Sequence, residues 1–199
     1  MIYADEYRSI KKVLKKELDH ERYQHTLGVA YTAQCLAMRY GEDLGRAYLA
    51  GLLHDCAKSI PRDGRLMLCE EWDIPIKEVE ERNTSLLHAK MGAYLARKKF
   101  GVNDPEILSA IECHTVGKEA MTQFEKIIFT ADYIEPCRDK ADNLEEIRKT
   151  AFLDLDLAVL LILRGTLDYL EVSGNTDIDP DTVIVYEYYR KLIDERVKA

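Results

Sequence analysis

Apolar residues recur at intervals of three and four along almost the whole chain, and that periodicity confines the fold to helices packed on helices. Ile10, Val13, Leu14 and Leu18 form the first stripe, with lysines around it. The spacing continues from Glu21 to Tyr40, where Gly41 supplies a stop. Leu44 to Asp55 is apolar nearly all round, the pattern of a helix through the middle of a bundle. Pro61 marks a break, and short helices are predicted over 66–72 and 75–82. A longer one runs from Leu86 to Phe100 and ends at Gly101. Asp104-Pro105 opens a helix towards His114, and Thr122 with Glu125 opens one through Asp132. Asn143 starts the next, Asp154 a long one to Glu171, and Asp179-Pro180 the last. Val183-Ile184-Val185 favours a strand by propensity, but the cap before it argues for helix. The expected architecture is an all-α, single-domain bundle of roughly nine or ten helices.

The 199 residues are expected to form one domain over 1–199, with a motif-bearing core at 20–140 and C-terminal helices at 143–199 packed on it. The clearest polar turn, Ser173 to Asp177, is too short to separate domains. At this size about 70% of the surface can be buried, so no disulfide staple is needed. The five cysteines contain no C-x-x-C pair, and no basic segment followed by an apolar run opens the chain. A reduced, cytoplasmic protein is the expectation. The longest uncharged apolar runs, such as Leu157 to Leu163, fall short of the ~18 residues of a membrane span. A net charge of -8 argues against nucleic acid as a partner. Phosphates would need a local cluster of cations.

His54-Asp55 follows the apolar run Ala47 to Leu53, placing an imidazole and a carboxylate together at the end of a buried segment. A buried carboxylate is costly without a cation or strong donors. His25 shares a helix face with Val29 and Thr32, and His88 shares one with Gly92 and Leu95. His114 ends a stretch containing Ile107, Leu108, Ala110 and Ile111, and Asp132 ends Ile127 to Ala131. Singly, each reads as an ordinary core residue. Together, four histidines and two aspartates suggest one interior site, because bundles project side chains from facing helices into a shared centre. His20 fits no such pattern and reads as a surface residue. Cys56, Cys113 and Cys137 lie close to these residues, and small apolar filler is the favoured reading over soft-metal ligation. Tyr186, Tyr188 and Tyr189 read as packing of the last helix rather than a base-stacking platform.

The ordered set His25, His54-Asp55, His88, His114, Asp132 resembles the HD-domain metal-dependent phosphohydrolases. Within them it is most similar to the bacterial YqeK group, whose assigned activity is that of a symmetrical dinucleoside-tetraphosphate hydrolase. The resemblance is carried by Tyr23-Gln24-His25-Thr26-Leu27-Gly28-Val29, Ala50-Gly51-Leu52-Leu53-His54-Asp55-Cys56-Ala57-Lys58, Leu86-Leu87-His88-Ala89-Lys90-Met91-Gly92-Ala93, Ala110-Ile111-Glu112-Cys113-His114-Thr115-Val116-Gly117 and Ala131-Asp132-Tyr133-Ile134-Glu135-Pro136-Cys137-Arg138. Departures are Ala89-Lys90-Met91, where the group usually has a Pro-containing stretch, and Val116, where a second threonine is common.

The resemblance implies two divalent metals, iron first, with manganese or zinc as alternatives. It puts the first on His25, His54, Asp55 and Asp132, and makes Asp55 a bridge to a second on His88 and His114. A hydroxide between them would attack a central phosphorus of diadenosine tetraphosphate, giving two ADP. Asp55 and Lys58 are the catalytic candidates. Lys58, three residues after Asp55, can hold a phosphate oxygen, or can be an exposed lysine at a helix end. Thr115 and Gly117, where a glycine turn lets N–H groups approach a phosphate, and Arg138 complete the substrate-binding candidates. Arg138 can equally pair with Glu135 or Asp139. Glu135-Pro136 is read as shaping a helix end. The partner implied is a small nucleotide; a homodimer is left open. The residues alone support only metal-assisted hydrolysis of phosphoesters or phosphoanhydrides. Other readings are another nucleotide or phosphomonoester substrate, a di-iron oxygenase, and a non-catalytic nucleotide-binding module.

Overall fold

The computed structural model describes residues 4–139, 141, 143–172 and 179–198. Among the described residues the chain forms eleven α-helices and no strand. They are α1 (Ala4–Glu17), α2 (His20–Tyr40), α3 (Leu44–Leu53), α4 (Arg65–Glu71), α5 (Glu78–Arg82), α6 (His88–Lys98), α7 (Pro105–Cys113), α8 (Gln123–Ile134), α9 (Leu144–Ala151), α10 (Leu155–Val172) and α11 (Pro180–Lys198). Short 3₁₀ turns over Cys56–Ser59 and Arg62–Gly64 join α3 to α4. The turn expected over Ser173 to Asp177 lies outside the described residues.

The helix ends follow local chemistry. Asp43 accepts the Arg46 N–H at 2.7 Å to start α3, and Asp104 accepts those of Glu106 and Ile107 behind Pro105. Thr122 and Glu125 cap α8 reciprocally. Gly41, at φ 78°, donates to the Ala37 carbonyl and ends α2. Val183 to Val185 lie inside α11, as the cap at Asp179 requires.

Three boundaries differ from those expected. α3 stops at Leu53, so His54 and Asp55 lie just beyond it. At Asp55 the backbone turns (φ −108°, ψ 15°) into the Cys56–Ser59 turn, while the His54 ring takes the Gly51 carbonyl. α6 begins at His88 rather than Leu86, its imidazole bonded to the Ser85 carbonyl. α5 begins at Glu78, because Lys77 is extended and gives its N–H to the Glu80 carboxylate.

α2 packs against α3 and α8, and α7 against α3, α6 and α8. Small buried residues on α2, among them Ala30, Ala33 and Ala37, bring the backbones close. A Cβ added at Gly51 would lie 2.6 Å from the Ala30 Cα, so α2 and α3 touch main chain to main chain there. Ala57 packs with Cys69, Leu87 and Met91, pinning the turn after Asp55 between α4 and α6. α9 and α10 lie against α8, and α11 against α10. No helix among the described residues is long and apolar enough to cross a membrane.

Candidate metal centre

The second turn of α2, the end of α3, the start of α6, the end of α7 and the last turn of α8 meet at one point, and each brings a donor. His25 comes from α2, His54 and Asp55 from the exit of α3, His88 from the first residue of α6, His114 from the exit of α7 and Asp132 from α8. Their ligand atoms fall into overlapping clusters whose members lie within 4.8 Å of one another.

Three of the four imidazoles are aimed by main-chain carbonyls. His54 Nδ1 donates to Gly51 O at 2.7 Å, His88 Nδ1 to Ser85 O at 2.5 Å and His114 Nδ1 to Ile111 O at 2.7 Å. A carbonyl only accepts, so each Nδ1 carries the proton and each Nε2 is left with its lone pair. Those Nε2 atoms crowd together: His88 and His114 lie 3.2 Å apart, His25 and His54 3.3 Å.

Asp55 divides its carboxylate between the two pairs. Its Oδ1 is 3.3 Å from His88 Nε2 and 3.6 Å from His114 Nε2. Its Oδ2 is 3.5 Å from His54 Nε2 and 3.8 Å from His25 Nε2. Asp132 Oδ1 closes the second group, 3.0 Å from His25 Nε2 and 3.7 Å from His54 Nε2. Asp55 Oδ1 is buried with no hydrogen-bond partner. An orphaned carboxylate oxygen facing imidazole lone pairs is a costly arrangement that a cation between them satisfies. The donor set therefore fits two metal ions sharing Asp55.

The electrostatics keep the carboxylates of the centre ionised. Burial would raise the Asp55 carboxyl, but His54, His114 and His88 outweigh it and hold it well below the usual range. Asp132 is lowered in the same way, against burial, by His25 above all. Burial and the neighbouring His114 hold the His88 imidazole well below its ordinary value, so it stays a neutral donor. Imidazole and carboxylate suit iron, manganese or zinc. Among the described residues no cysteine joins a donor cluster, and burial pushes the Cys56 and Cys113 thiols up to about 12.

Around this core the other expected residues take different places. Thr115 Oγ1 lies 3.1 Å from both His88 Nε2 and His114 Nε2, at the mouth of that pair. Gly117, at φ 78°, gives its N–H to the Cys113 carbonyl and so closes the turn that follows α7. Arg138 turns to Asp132, with Nη2 3.0 Å from its carbonyl and 3.4 Å from Oδ1, rather than to Glu135 or Asp139. Lys58 sits in the Cys56–Ser59 turn, its N–H on the Asp55 carbonyl. Burial lowers the pKa of its ammonium, while Asp55 and Asp132 act in the opposite sense. His20 lines the outer cavity and belongs to none of the donor clusters.

Two residues at the centre escaped the sequence reading. Arg22 Nη1 donates to Asp55 Oδ2 at 2.7 Å. Glu135, 2% exposed, accepts from His25 Nδ1 at 3.1 Å and from the Cys137 N–H at 2.7 Å. Each stands three residues from a ligand candidate, Arg22 before His25 and Glu135 after Asp132, so helical spacing was the available signal. Arg22, His25, Glu135 and Arg138 line a cavity of about 610 Å³ that opens beside the centre.

Comparison with known proteins adds three findings. Residues 22–137 match the HD domain model. The chain is 38% identical over 175 residues to the symmetrical bis(5'-nucleosyl)-tetraphosphatase of Bacillus subtilis (strain 168), covering 88% of this chain and 92% of that one. It is 33% identical to the enzyme of the same name from Staphylococcus aureus (strain NCTC 8325 / PS 47), over 94% and 96% of the two chains. The crystal structure of a predicted HD superfamily hydrolase involved in NAD metabolism from Clostridium acetobutylicum superposes with a TM-score of 0.88 at 38% identity, covering 93% and 97%.

Proposed function

The chain belongs to the HD-domain family of metal-dependent phosphohydrolases, and from that premise we propose that it splits symmetrical dinucleoside tetraphosphates, diadenosine tetraphosphate giving two ADP. The observation that carries the chemistry is Asp55, one buried carboxylate presenting an oxygen to each of two histidine pairs. The substrate class rests on the similarity to the two tetraphosphatases along most of the chain.

His25, His54, Asp55 and Asp132 would hold one divalent cation, and Asp55, His88 and His114 the other. Iron is the first expectation, and manganese or zinc the alternatives. When bound, such a pair supplies Lewis acidity and a water that is nucleophilic near neutral pH. In the net reaction the water oxygen joins one of the two central phosphorus atoms. The bond from that phosphorus to the oxygen between them breaks, and the departing ADP leaves as a stable anion. Little general-acid help is then needed at the departing oxygen.

The chain's own groups bind and orient the polyphosphate. Arg22 and Arg138 place two guanidinium groups on the cavity wall beside the centre, where they can exchange carboxylate for phosphate. Lys58, whose ammonium feels the charges of both Asp55 and Asp132, can take a phosphate oxygen beside the centre. The Thr115 hydroxyl can orient an oxygen held between His88 and His114. The reduced cytoplasm is the compartment this reading assigns, in keeping with five free cysteines.

The test is metal analysis of the purified protein, followed by product identification from dinucleoside polyphosphates, mononucleotides and simple phosphoesters. ADP as the sole product from diadenosine tetraphosphate is expected. AMP plus ATP would overturn the symmetrical cut. Turnover confined to mononucleotides or simple esters would overturn the substrate. Oxygen uptake with an organic substrate, or nucleotide affinity without turnover, would overturn the hydrolase assignment.

A further inference from the structure

Of the four imidazoles at the centre, His25 alone is backed by a charged group. Its Nδ1 meets Glu135 Oε1 at 3.1 Å, where the other three meet neutral main-chain carbonyls. A carboxylate behind an imidazole fixes its orientation and raises its basicity more than a carbonyl does. The fold also guards this contact. Glu135 Oε2 is tied to the Cys137 N–H at 2.7 Å, and Arg148 clamps the same turn through the carbonyls of Ile134, Glu135 and Arg138. Gly28, one turn along α2 from His25, leaves the space: a Cβ there would stand 2.4 Å from Glu135 Oε2.

The two halves of the centre also differ in charge. His25 and His54 face Asp132 Oδ1 and Asp55 Oδ2, with Glu135 behind. His88 and His114 face Asp55 Oδ1. Arg22 and Arg138 oppose the excess on the first half, but both are about one-third exposed and can swing away.

We propose that Glu135 is a positioning residue that makes the His25 half of the centre the tighter of two unequal cation sites, so that it fills first and the His88 half exchanges. The inference rests on the reading of the centre as a two-cation site. It predicts ordered loading: at limiting metal the protein holds one ion, between α2, α3 and α8.

The experiment is titration of the metal-free full chain with Mn²⁺, followed by calorimetry and by electron paramagnetic resonance. Wild type is expected to show two classes of site. Glu135→Gln keeps the shape and the Cys137 contact, and should weaken the tighter class about 10–100-fold while leaving the weaker one unmoved. His88→Ala should remove the weaker class and keep the tighter. Gly28→Ala, which displaces the Glu135 carboxylate without touching its charge, should act in the same direction as Glu135→Gln and serves as the second variant should that one fail to fold. Two equal sites in wild type would overturn the proposal with no variant needed. So would Glu135→Gln with both classes intact, or loss of the tighter class in His88→Ala. No Mn²⁺ bound by folded wild type would instead sink the two-cation reading itself.

Discussion

Gly51→Ala tests the main-chain contact on which the geometry of the centre depends. The added Cβ would stand 2.6 Å from the Ala30 Cα and 3.0 Å from its nitrogen. Carbon atoms settle at about 3.5–4.0 Å, so α2 and α3 must part locally by about 1 Å. Both sides of the clash are held in helices, so no flexible side chain can absorb it. Overpacking of this kind costs about 1–3 kcal/mol, and a clash against backbone belongs at the upper end. For a chain of this size each kcal/mol moves the melting temperature by about 2–4 °C, so a fall of about 6–12 °C is expected. The same displacement separates His25 on α2 from His54 beyond α3, whose Nε2 atoms lie 3.3 Å apart, so cation affinity should drop as well. Differential scanning calorimetry of the metal-free protein reads the first effect and Mn²⁺ titration the second. Gly64→Ala is the control, since a Cβ there meets nothing within 4 Å and its φ of −93° suits any residue. A Gly51→Ala protein melting within about 2 °C of wild type, with unchanged affinity, would refute the argument.

Asp55→Ala is expected to abolish turnover and to lower cation content at both halves of the centre, read by elemental analysis; retained activity would reject the metal mechanism. Lys58→Ala should keep the cations and lose a charge-assisted contact of about 1.5–3 kcal/mol. That corresponds to a drop in kcat/KM of about 10–150-fold. Equal loss of metal would show that it acts otherwise. Glu125 gives a pH test remote from the centre. Burial would raise its carboxyl, but Lys118, Ser109 and the Thr122 N–H outweigh this and hold it below the ordinary 4.5. A lowered folded value means its stabilisation is fully present above the ordinary 4.5 and is lost below that, as pH falls through the lower folded value. Glu125→Gln should therefore melt lower than wild type at pH 7, with the gap narrowing in acid. A gap constant with pH would show the charge to be idle.

The helical fold was legible because apolar spacing and caps agreed along the chain. Two of the three boundaries that shifted lie at His54 and His88, where a ring bonded to the main chain marks a helix terminus. That contact is tertiary in purpose and local in form, so propensity does not reveal it. The six donor candidates stood out as polar residues in apolar helical settings. Arg22 did not, because an arginine next to a helix start reads as solvated surface, and its partner lies 33 residues away. Glu135 was masked by the proline after it, which made the pair look like punctuation. The choice of Asp132 over Glu135 or Asp139 by Arg138 depends on a turn that Arg148 organises from α9, and no short-range pattern encodes it.

The carbonyls of Gly51, Ser85 and Ile111 that steer three of the rings are part of the polymer's spine and do not depend on which amino acid supplies them. No single codon change can delete one. The pocket's walls can thus drift towards new substrates over evolutionary time while the imidazoles keep their aim, and a lineage must break a helix terminus before it loses the orientation of the ligands.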